Sequence, residues 1–396
     1  MLVQFRLKNV LSFREETILD MTAINAYKEH QCNLISTGSN EKLLRVAAIY
    51  GANASGKSNL VYAMAYFQNI ITESFNNVAE GKSLAIDENF YPFVFDGNKD
   101  NSEFEIVELI GQFEYRYGFE YNSSAIVSEW MYRKNLETNR QITIVERMGT
   151  EVTFGPLVRK ECDVYKKQIP AETLVLSFFN KLKMETDVFR RLYASIMETL
   201  VVSTNVFEDD TLLDKHLPEI IDEEKEKLVE FLSAIDTGIR DIDYVKNDSD
   251  IQFFTTHVGK EGRRYSLPLY NESEGTIKSI IVYIHARVAV AYGKSMFVDE
   301  LNVKLHPLLL KFIVDLFYEE SSQGQLIYTT HDTTLMDKKF FRRDQVWFVQ
   351  KDEMGCSELI ALSDYKVRSD ASFEKDYLAG VYGGIPRLKF FELKEG

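Results

Sequence analysis

Apolar and polar residues alternate with a period of two through much of the first 154 residues, which predicts β-strands. Leu2, Phe5, Leu7 and Val10, then Ser12-Phe13-Arg14 and Thr17 to Leu19, predict two short paired strands at the edge of a larger unit. A mixed stretch to residue 42, with a turn at Gly38-Ser39-Asn40, precedes Leu44 to Tyr50, an apolar run with the length of a buried strand. Asn59 onward reads as a helix to about Phe75, then a loop from Asn76 to Asn89. Phe90 to Phe95 and a turn at Asp96-Gly97-Asn98 lead into the alternating runs 104–110, 113–121 and 126–132, extended by 141–146 and 152–154. These predict an antiparallel, aromatic-rich meander.

From Pro170 the period changes. Leu174 to Phe179 is apolar, Phe189, Leu192, Tyr193, Ile196 and Leu200 recur at helical spacing, and Pro218 to Ala234 carries apolar pairs among charges. The charged run Asp222 to Lys227 reads as the wet face of that helix. Residues 155–240 are thus expected to be a mostly helical insertion between two halves of one core, 1–154 and 241–396. Strand character returns at 239–245, 251–254 and 265–270, a long apolar helix spans 277–291, and buried strands are expected at 295–298, 324–330 and 345–349, with a helix over 308–318. The tail from Tyr377 to Pro386 is rich in glycine and aromatics, and reads either as a rigid turn on the core or as a cover for a partner surface.

Between the strand ending at Tyr50 and the following helix lies Gly51-Ala52-Asn53-Ala54-Ser55-Gly56-Lys57-Ser58. Strand, glycine-rich turn and helix are the context of a phosphate-binding loop, in which backbone amides and a helix N-terminus face phosphate oxygens. In this reading Lys57 reaches the β- and γ-phosphates and Ser58 ligates magnesium. Asp299-Glu300 ends the strand at 295–298, where open α/β sheets place their sites. Asp299 would hold magnesium through water and Glu300 would polarise the attacking water. His331, just after another buried strand, reads either as a sensor of the γ-phosphate or as a structural residue. Ser273 and Gly275, ahead of the 277–291 helix, suit a second phosphate contact or a plain helix cap.

Composition narrows the classes. No apolar run reaches the roughly 18–20 residues of a membrane span, so a cytoplasmic protein is the default expectation. Cys32, Cys162 and Cys356 are far apart, which suggests neither a disulfide framework nor a zinc cluster. His30, His216, His257, His285, His306 and His331 have no metal-ligand spacing. The formal charge of −15 argues against a globally basic nucleic-acid surface. The short basic groups Arg190-Arg191, Arg263-Arg264, and Lys338-Lys339 with Arg342-Arg343 read as ordinary solvated surface, with local basic patches as the alternative.

Together these motifs resemble the ABC-like ATPases related to RecF, structural-maintenance-of-chromosomes and overcoming-lysogenization-defect proteins. The full chain is more closely similar to the AAA15-type, RloA-like abortive-infection ATP-binding proteins. Phe5 to Phe13 with Tyr50 to Asn59, Asp299-Glu300 with Leu305-His306-Pro307, and Leu362 to Arg368 with Tyr382 to Pro386 carry that resemblance. It implies an α/β ABC-type P-loop ATPase head with an antiparallel β-meander and a mostly helical insertion. It implies ATP and Mg2+ as cofactors, with Gly51, Asn53, Ala54, Ser55, Gly56, Lys57, Ser58 and Asn59 around the nucleotide. Glu300, Lys57 and His331 would be catalytic, and Ser58 and Asp299 would hold the metal. Ser273 and Gly275 would stand for the signature loop that touches nucleotide on an opposite protomer, and Asn302 would face that partner. The sequence there, Glu272-Ser273-Glu274-Gly275-Thr276, departs from the Leu-Ser-Gly-Gly-Gln of transporters, and no Q-loop glutamine is assigned. The implied function is an ATP-hydrolysing switch in anti-phage defence. Its partners would be a second copy in an ATP-sandwiched homodimer or larger homo-oligomer and a separately encoded nuclease or toxin effector. The alternative is a RecF-like DNA-binding repair clamp.

Overall fold

The computed structural model describes residues 1–38, 41–80, 90–97, 100–202, 211–235, 238–247, 250–302, 305–367 and 371–385. The expected turn at Ser39-Asn40, most of the 76–89 loop, and Asn98, Arg368 and Pro386 lie outside these residues.

A six-stranded sheet organises the chain, in the order β11 (Leu200–Val202), β15 (Ser295–Val298), β16 (Gln325–Thr329), β5 (Val46–Tyr50), β17 (Val346–Lys351) and β18 (Ser357–Ala361). The first five strands run parallel, and β18 returns antiparallel beside β17. A parallel sheet is covered on both faces, so its strands read as continuous apolar runs. The alternation of side chains nevertheless divides them between two cores. Ala47, Ile49, Phe297, Ile327, Trp347 and Val349 face one core. Ala48, Tyr50, Val298, Tyr328, Val346 and Phe348 face the other.

The first core is closed by α1 (Lys57–Glu80) and a seven-stranded antiparallel sheet. That sheet has the order β10 (Glu151–Phe154), β9 (Gln141–Met148), β8 (Ile126–Asn135), β7 (Phe113–Tyr121), β6 (Ser102–Ile110), β1 (Leu2–Lys8) and β2 (Thr17–Asp20). Phe67 of α1 sits at its centre, fully buried, with Phe119 stacked at 5.7 Å and Phe5 and Phe104 at 5.8 and 5.6 Å. Short helices α2 (Arg159–Cys162), α3 (Val175–Asn180) and α4 (Val188–Met197) complete this side. Glu129 of β8 accepts the Val175 and Leu176 amides at the start of α3, at 2.7 and 3.1 Å, which fastens the helix to the meander. The second core is closed by α5 (Thr211–Ile235), α6 (Glu274–Tyr292), α7 (Pro307–Tyr318) and α8 (Phe373–Leu378). Beside α5 lies a three-stranded sheet of β12 (Ile239–Lys246), β13 (Ile251–Val258) and β14 (Arg264–Pro268), and β3 (Leu34–Ser36) pairs with β4 (Lys42–Leu44). No helix among the described residues is long and apolar enough to cross a membrane.

Several elements differ from the sequence expectation. β1 is interior to its sheet, paired with both β2 and β6, so of the two expected edge strands β2 alone lies at an edge. α1 runs to Glu80 rather than Phe75. Within 155–240, Leu200 belongs to strand β11 rather than to the preceding helix, because three residues are too few to show a period. β17 is not the last strand, since β18 follows it, and α8 was not expected. Arg342 is not surface charge. It is fully buried, donates to Asp344 at 2.9 and 2.7 Å, and reaches the carbonyls of Tyr27 and Glu29.

Because Phe67 fills the junction between α1 and the large sheet, Phe67→Ala is expected to lower unfolding free energy by about 3–5 kcal/mol. Urea denaturation followed by circular dichroism measures this, and a loss under about 1 kcal/mol would mean that the junction is loosely packed.

Candidate functional site

The strand β5 is buried along its whole length and ends at Tyr50, so the next residues emerge at the C-terminal edge of the parallel sheet. Gly51 to Gly56 turn the chain there, and α1 begins at Lys57. Two glycines have a steric reason. A Cβ on Gly51 would strike the Val349 carbonyl oxygen, and one on Gly56 would strike the hydroxyls of Ser357 and Ser12. Gly56 also has φ 112° and Ala54 φ 60°, so the turn visits left-handed backbone twice.

The loop is braced from two other parts of the chain. Ser357 of β18 donates to the Ser55 carbonyl at 2.6 Å and lies 2.8 Å from the Ser12 hydroxyl, while Asn59 Nδ2 donates to Ser12 Oγ at 2.7 Å. The Ser357 amide donates to the Ser12 carbonyl at 2.7 Å. Ser12 and Ser357 are therefore site residues that the sequence reading did not assign. Ser12 lies inside the quoted Phe5 to Phe13 motif, which was its only signal. Nothing local marks Ser357.

The Lys57 ammonium turns back on the loop, donating to the carbonyls of Gly51 and Ala52 at 3.0 and 2.9 Å. Burial pushes its pKa down to about 8, opposed by the nearby carboxylates of Glu300 and Asp299. Asp299 is buried at the end of β15, and its Oδ1 accepts from the Thr329 hydroxyl at 2.7 Å. The same hydroxyl accepts the Glu300 amide at 2.7 Å, so Thr329 of β16 fixes both acidic residues. Glu300 adopts left-handed backbone with φ 49°, a strained state that turns it out of the strand line. Lys278 of α6, itself buried, reaches the Glu300 carbonyl at 3.4 Å. Sequence missed Thr329 and Lys278 because each reads as an ordinary interior residue of its element.

His331 follows β16, with Nε2 3.8 Å from Glu300 Oε1. Its pKa is lowered, first by burial and then by the Lys57 charge, so the ring is neutral near pH 7. Asn302 Oδ1 accepts from Thr330 Oγ1 at 2.9 Å and from the His331 amide at 3.3 Å. Asn302 thus links the loop after Glu300 to the one after β16.

These groups surround one open cleft of about 500 Å3, lined by Asn53, Ala54, Gly56, Lys57, Ser58, Asn59, Glu300, His331 and Lys351. Ser273 and Gly275 do not line it. Ser273 is the exposed N-cap of α6, accepting the Thr276 amide at 3.1 Å, and the Gly275 carbonyl accepts from Ser279. Among the described residues no group of three or more His, Cys, Asp or Glu could hold a metal ion. A divalent ion beside Ser58 and Asp299 would take its remaining oxygens from water or a bound ligand. The tail packs behind the loop. Tyr382 and Tyr377 stack on Phe348 at 5.2 and 5.3 Å, Tyr365 donates to the Tyr382 carbonyl at 2.9 Å, and Tyr377 to the Gly384 carbonyl at 3.0 Å.

A parallel sheet carrying a glycine loop and a lysine at a helix start after β5, and a carboxylate pair at the end of β15 one strand further on, has the layout of an α/β P-loop nucleotide-binding fold, here with an antiparallel lobe. The family model described as "AAA domain, putative AbiEii toxin, Type IV TA system" matches residues 46–337, and the chain belongs to that family. Membership implies nucleotide use. No curated protein sequence matches the chain. Among solved structures, it is similar to an SMC head bound to the C-winged helix domain of ScpA (15% identity, 95% of this chain and 99% of that one, TM-score 0.40). It is also similar to an SMC head domain from Thermotoga maritima (13%, 91% and 98%, TM-score 0.39). A third is an Smc head with an extended coiled coil bound to the C-terminal domain of ScpA, from Pyrococcus furiosus (13%, 96% and 99%, TM-score 0.38).

The depressed Lys57 pKa makes a directional prediction. Bound phosphates favour the charged ammonium and raise its pKa above the free value of about 8. Nucleotide binding at pH 8.5 is then accompanied by proton uptake, and affinity falls as pH rises through 8–10. Calorimetry in two buffers of different ionisation enthalpy measures the uptake. Lys57→Ala should abolish it, and equal apparent enthalpies in wild type would contradict the assignment.

Proposed function

We propose that this chain binds ATP with Mg2+ and hydrolyses it to ADP and phosphate, as the switch of a bacterial anti-phage, abortive-infection-type system that controls a separately encoded effector. The observation that carries the reading is the convergence of Lys57, Ser58, Glu300 and His331 on one cleft, with buried Asp299 beside Glu300. Three separate strand ends supply them.

In this mechanism the amides of Gly51 to Ser58 and the α1 N-terminus hold the phosphates. Lys57 leaves the loop carbonyls for the β- and γ-phosphates. Ser58 and Asp299 would hold Mg2+, which when bound supplies charge neutralisation on the phosphates. Glu300 orients a water so that its oxygen attacks the γ-phosphorus as the bond to the β–γ bridging oxygen breaks, and the water's proton passes to the released phosphate. The electron pair of that bond leaves on ADP, where Lys57 offsets the charge. Neutral His331 can donate a hydrogen bond to the γ-phosphate. Positioning and electrostatics are the main catalytic contributions.

Ser273 and Gly275, outside the cleft of their own chain, are read as the surface offered to nucleotide on a second copy, with Asn302 beside that interface. ATP would then join two chains head to tail, and hydrolysis would release them. In this division 1–154 and 241–396 form the ATPase head, and 155–240 is the insertion and the partner surface. The family description supports the defence reading through its toxin and toxin–antitoxin terms. The finer affiliation with AAA15-type, RloA-like proteins rests on the motifs at both ends of the chain.

Glu300→Gln tests the reading. It should slow phosphate release by at least 100-fold while retaining ATP. Light scattering should then detect an ATP-dependent dimer that wild type forms only transiently. Co-purification from the native host should recover a nuclease- or toxin-like protein. An ATP-bound variant that stays monomeric would overturn the sandwich, and recovery of salt-released DNA alone would favour a repair clamp.

A further inference from the structure

A second, larger cleft adjoins the phosphate cleft. About 620 Å3 of space lies between Ala52 to Ser55 of the loop, Gln350 to Glu353 at the end of β17, and Gly380, Gly383, Gly384 and Ile385 of the tail. Asn53, Ala54 and Lys351 line both clefts, so the two meet at the loop. Backbone conformation keeps the tail wall free of side chains. Gly380, Gly383 and Gly384 have φ 80°, 68° and 66°, and a Cβ on Gly383 would strike Gln350 Oε1. Ile385 supplies an apolar contact, and exposed Asp352 and Glu353 supply a polar rim. A wall of glycine backbone accepts a flat ring, and such a rim accepts a phenolic hydroxyl.

The chain itself carries a ring of that kind. Tyr270 is 79% exposed, more than any other large hydrophobic side chain among the described residues. It stands in the 3-10 turn Leu269–Asn271, between two anchors. Leu269 is buried in the second core. The Glu272 carboxylate is buried against β13, where the Thr255 hydroxyl donates to it and His257 Nε2 lies 2.7 Å away. Ser273 follows as the cap of α6, so the turn holds Tyr270 in a fixed relation to Ser273 and Gly275. A tyrosine presented this way loses little side-chain entropy on docking, which suits it as an interface anchor. Tyr270 and Ser273 are three residues apart, a reach of at most about 11 Å. With Ser273 and Gly275 set against nucleotide on a second copy, Tyr270 arrives at the cleft beside that nucleotide. Charge sorts in the same way. Each chain carries −15, so two copies repel unless cations are placed at the contact. Exposed Arg263 and Arg264 open the strand that leads to Tyr270, and Asp352 and Glu353 rim the cleft opposite.

We propose that Tyr270 of one copy inserts into the glycine-walled cleft of a second copy, and that two reciprocal insertions lock the ATP-bound dimer. In a two-fold pair each chain then donates one ring and offers one cleft. The docking rests on the head-to-tail ATP dimer read above and names the side chain that fixes its register. It also ties assembly to nucleotide, because Asn53 and Ala54 would meet phosphates on one side and the partner ring on the other.

The test starts from the full-length Glu300→Gln chain with ATP and Mg2+, its dimerisation followed by analytical ultracentrifugation. Adding Tyr270→Ala should weaken the dimer about 10-fold or more, while Tyr270→Phe, which keeps the ring, should stay within about 3-fold. Melting temperature should not change, because the shortened side chain is exposed. Cross-linking reads the position. With Cys32 and Cys356 replaced by serine, a Tyr270→Cys chain is mixed with an Ile385→Cys chain and treated with a short bismaleimide. A cross-linked dimer that needs both variants and ATP is the expected result. If Tyr270→Ala dimerises as the Glu300→Gln parent does, or the dimer forms without the cross-link, the docking is wrong and the ATP dimer stands. If Tyr270→Ala loses dimer and melting temperature together, the ring supports its own chain and the docking is again wrong. If the parent binds ATP and stays monomeric at every concentration, the ATP dimer itself fails and the docking fails with it.

Discussion

A buried ammonium facing two carboxylates is the constraint on which the rest of this structure depends. Lys57 lies at the mouth of a parallel sheet, with its charge held by the Gly51 and Ala52 carbonyls and opposed to Asp299 and Glu300. A cation taken from water needs such partners, or its pKa falls further. The loop must therefore curl tightly enough to present its carbonyls. That in turn requires left-handed backbone at Ala54 and Gly56, and the serine brace from β18 and the β1–β2 connection that holds the curl.

The two cores explain how such a loop is kept rigid. β5 has α1 and the aromatic meander on one face, and the α5–α8 helices on the other. Its neighbours β16 and β17 flank it in parallel, so Thr329, the His331 turn and the Val349 carbonyl arrive at the same sheet edge. Thr329 serves as a clasp, donating to Asp299 and accepting from Glu300. The tyrosine-rich tail packs on this edge through Phe348, as the rigid-turn reading of the tail expects.

Sequence made the interior strands legible because a buried strand carries a run of apolar residues, as in Val46 to Tyr50 and Leu326 to Tyr328. The meander was legible for a different reason, since its long strands alternate clearly. The phosphate loop was visible because its glycines and lysine are adjacent in the chain. What could not be read is whatever depends on distant residues. β11 is three residues long, and its strand character comes from pairing with β15, almost a hundred residues away. Ser12 and Ser357 meet only because β18 folds back antiparallel on β17. Arg342 looked like solvated charge because its partner carbonyls, from Tyr27 and Glu29, lie more than three hundred residues upstream. Local pattern reports burial and period, while bracing contacts belong to topology.

Steady-state ATP hydrolysis by the full chain in Mg2+ puts the central claim to the most direct test. Phosphate release from wild type should exceed that of Lys57→Ala by at least 100-fold, with both proteins melting at similar temperatures. Equal rates from two folded proteins would mean that the buried ammonium does not act on phosphate, and the account of this site would fail.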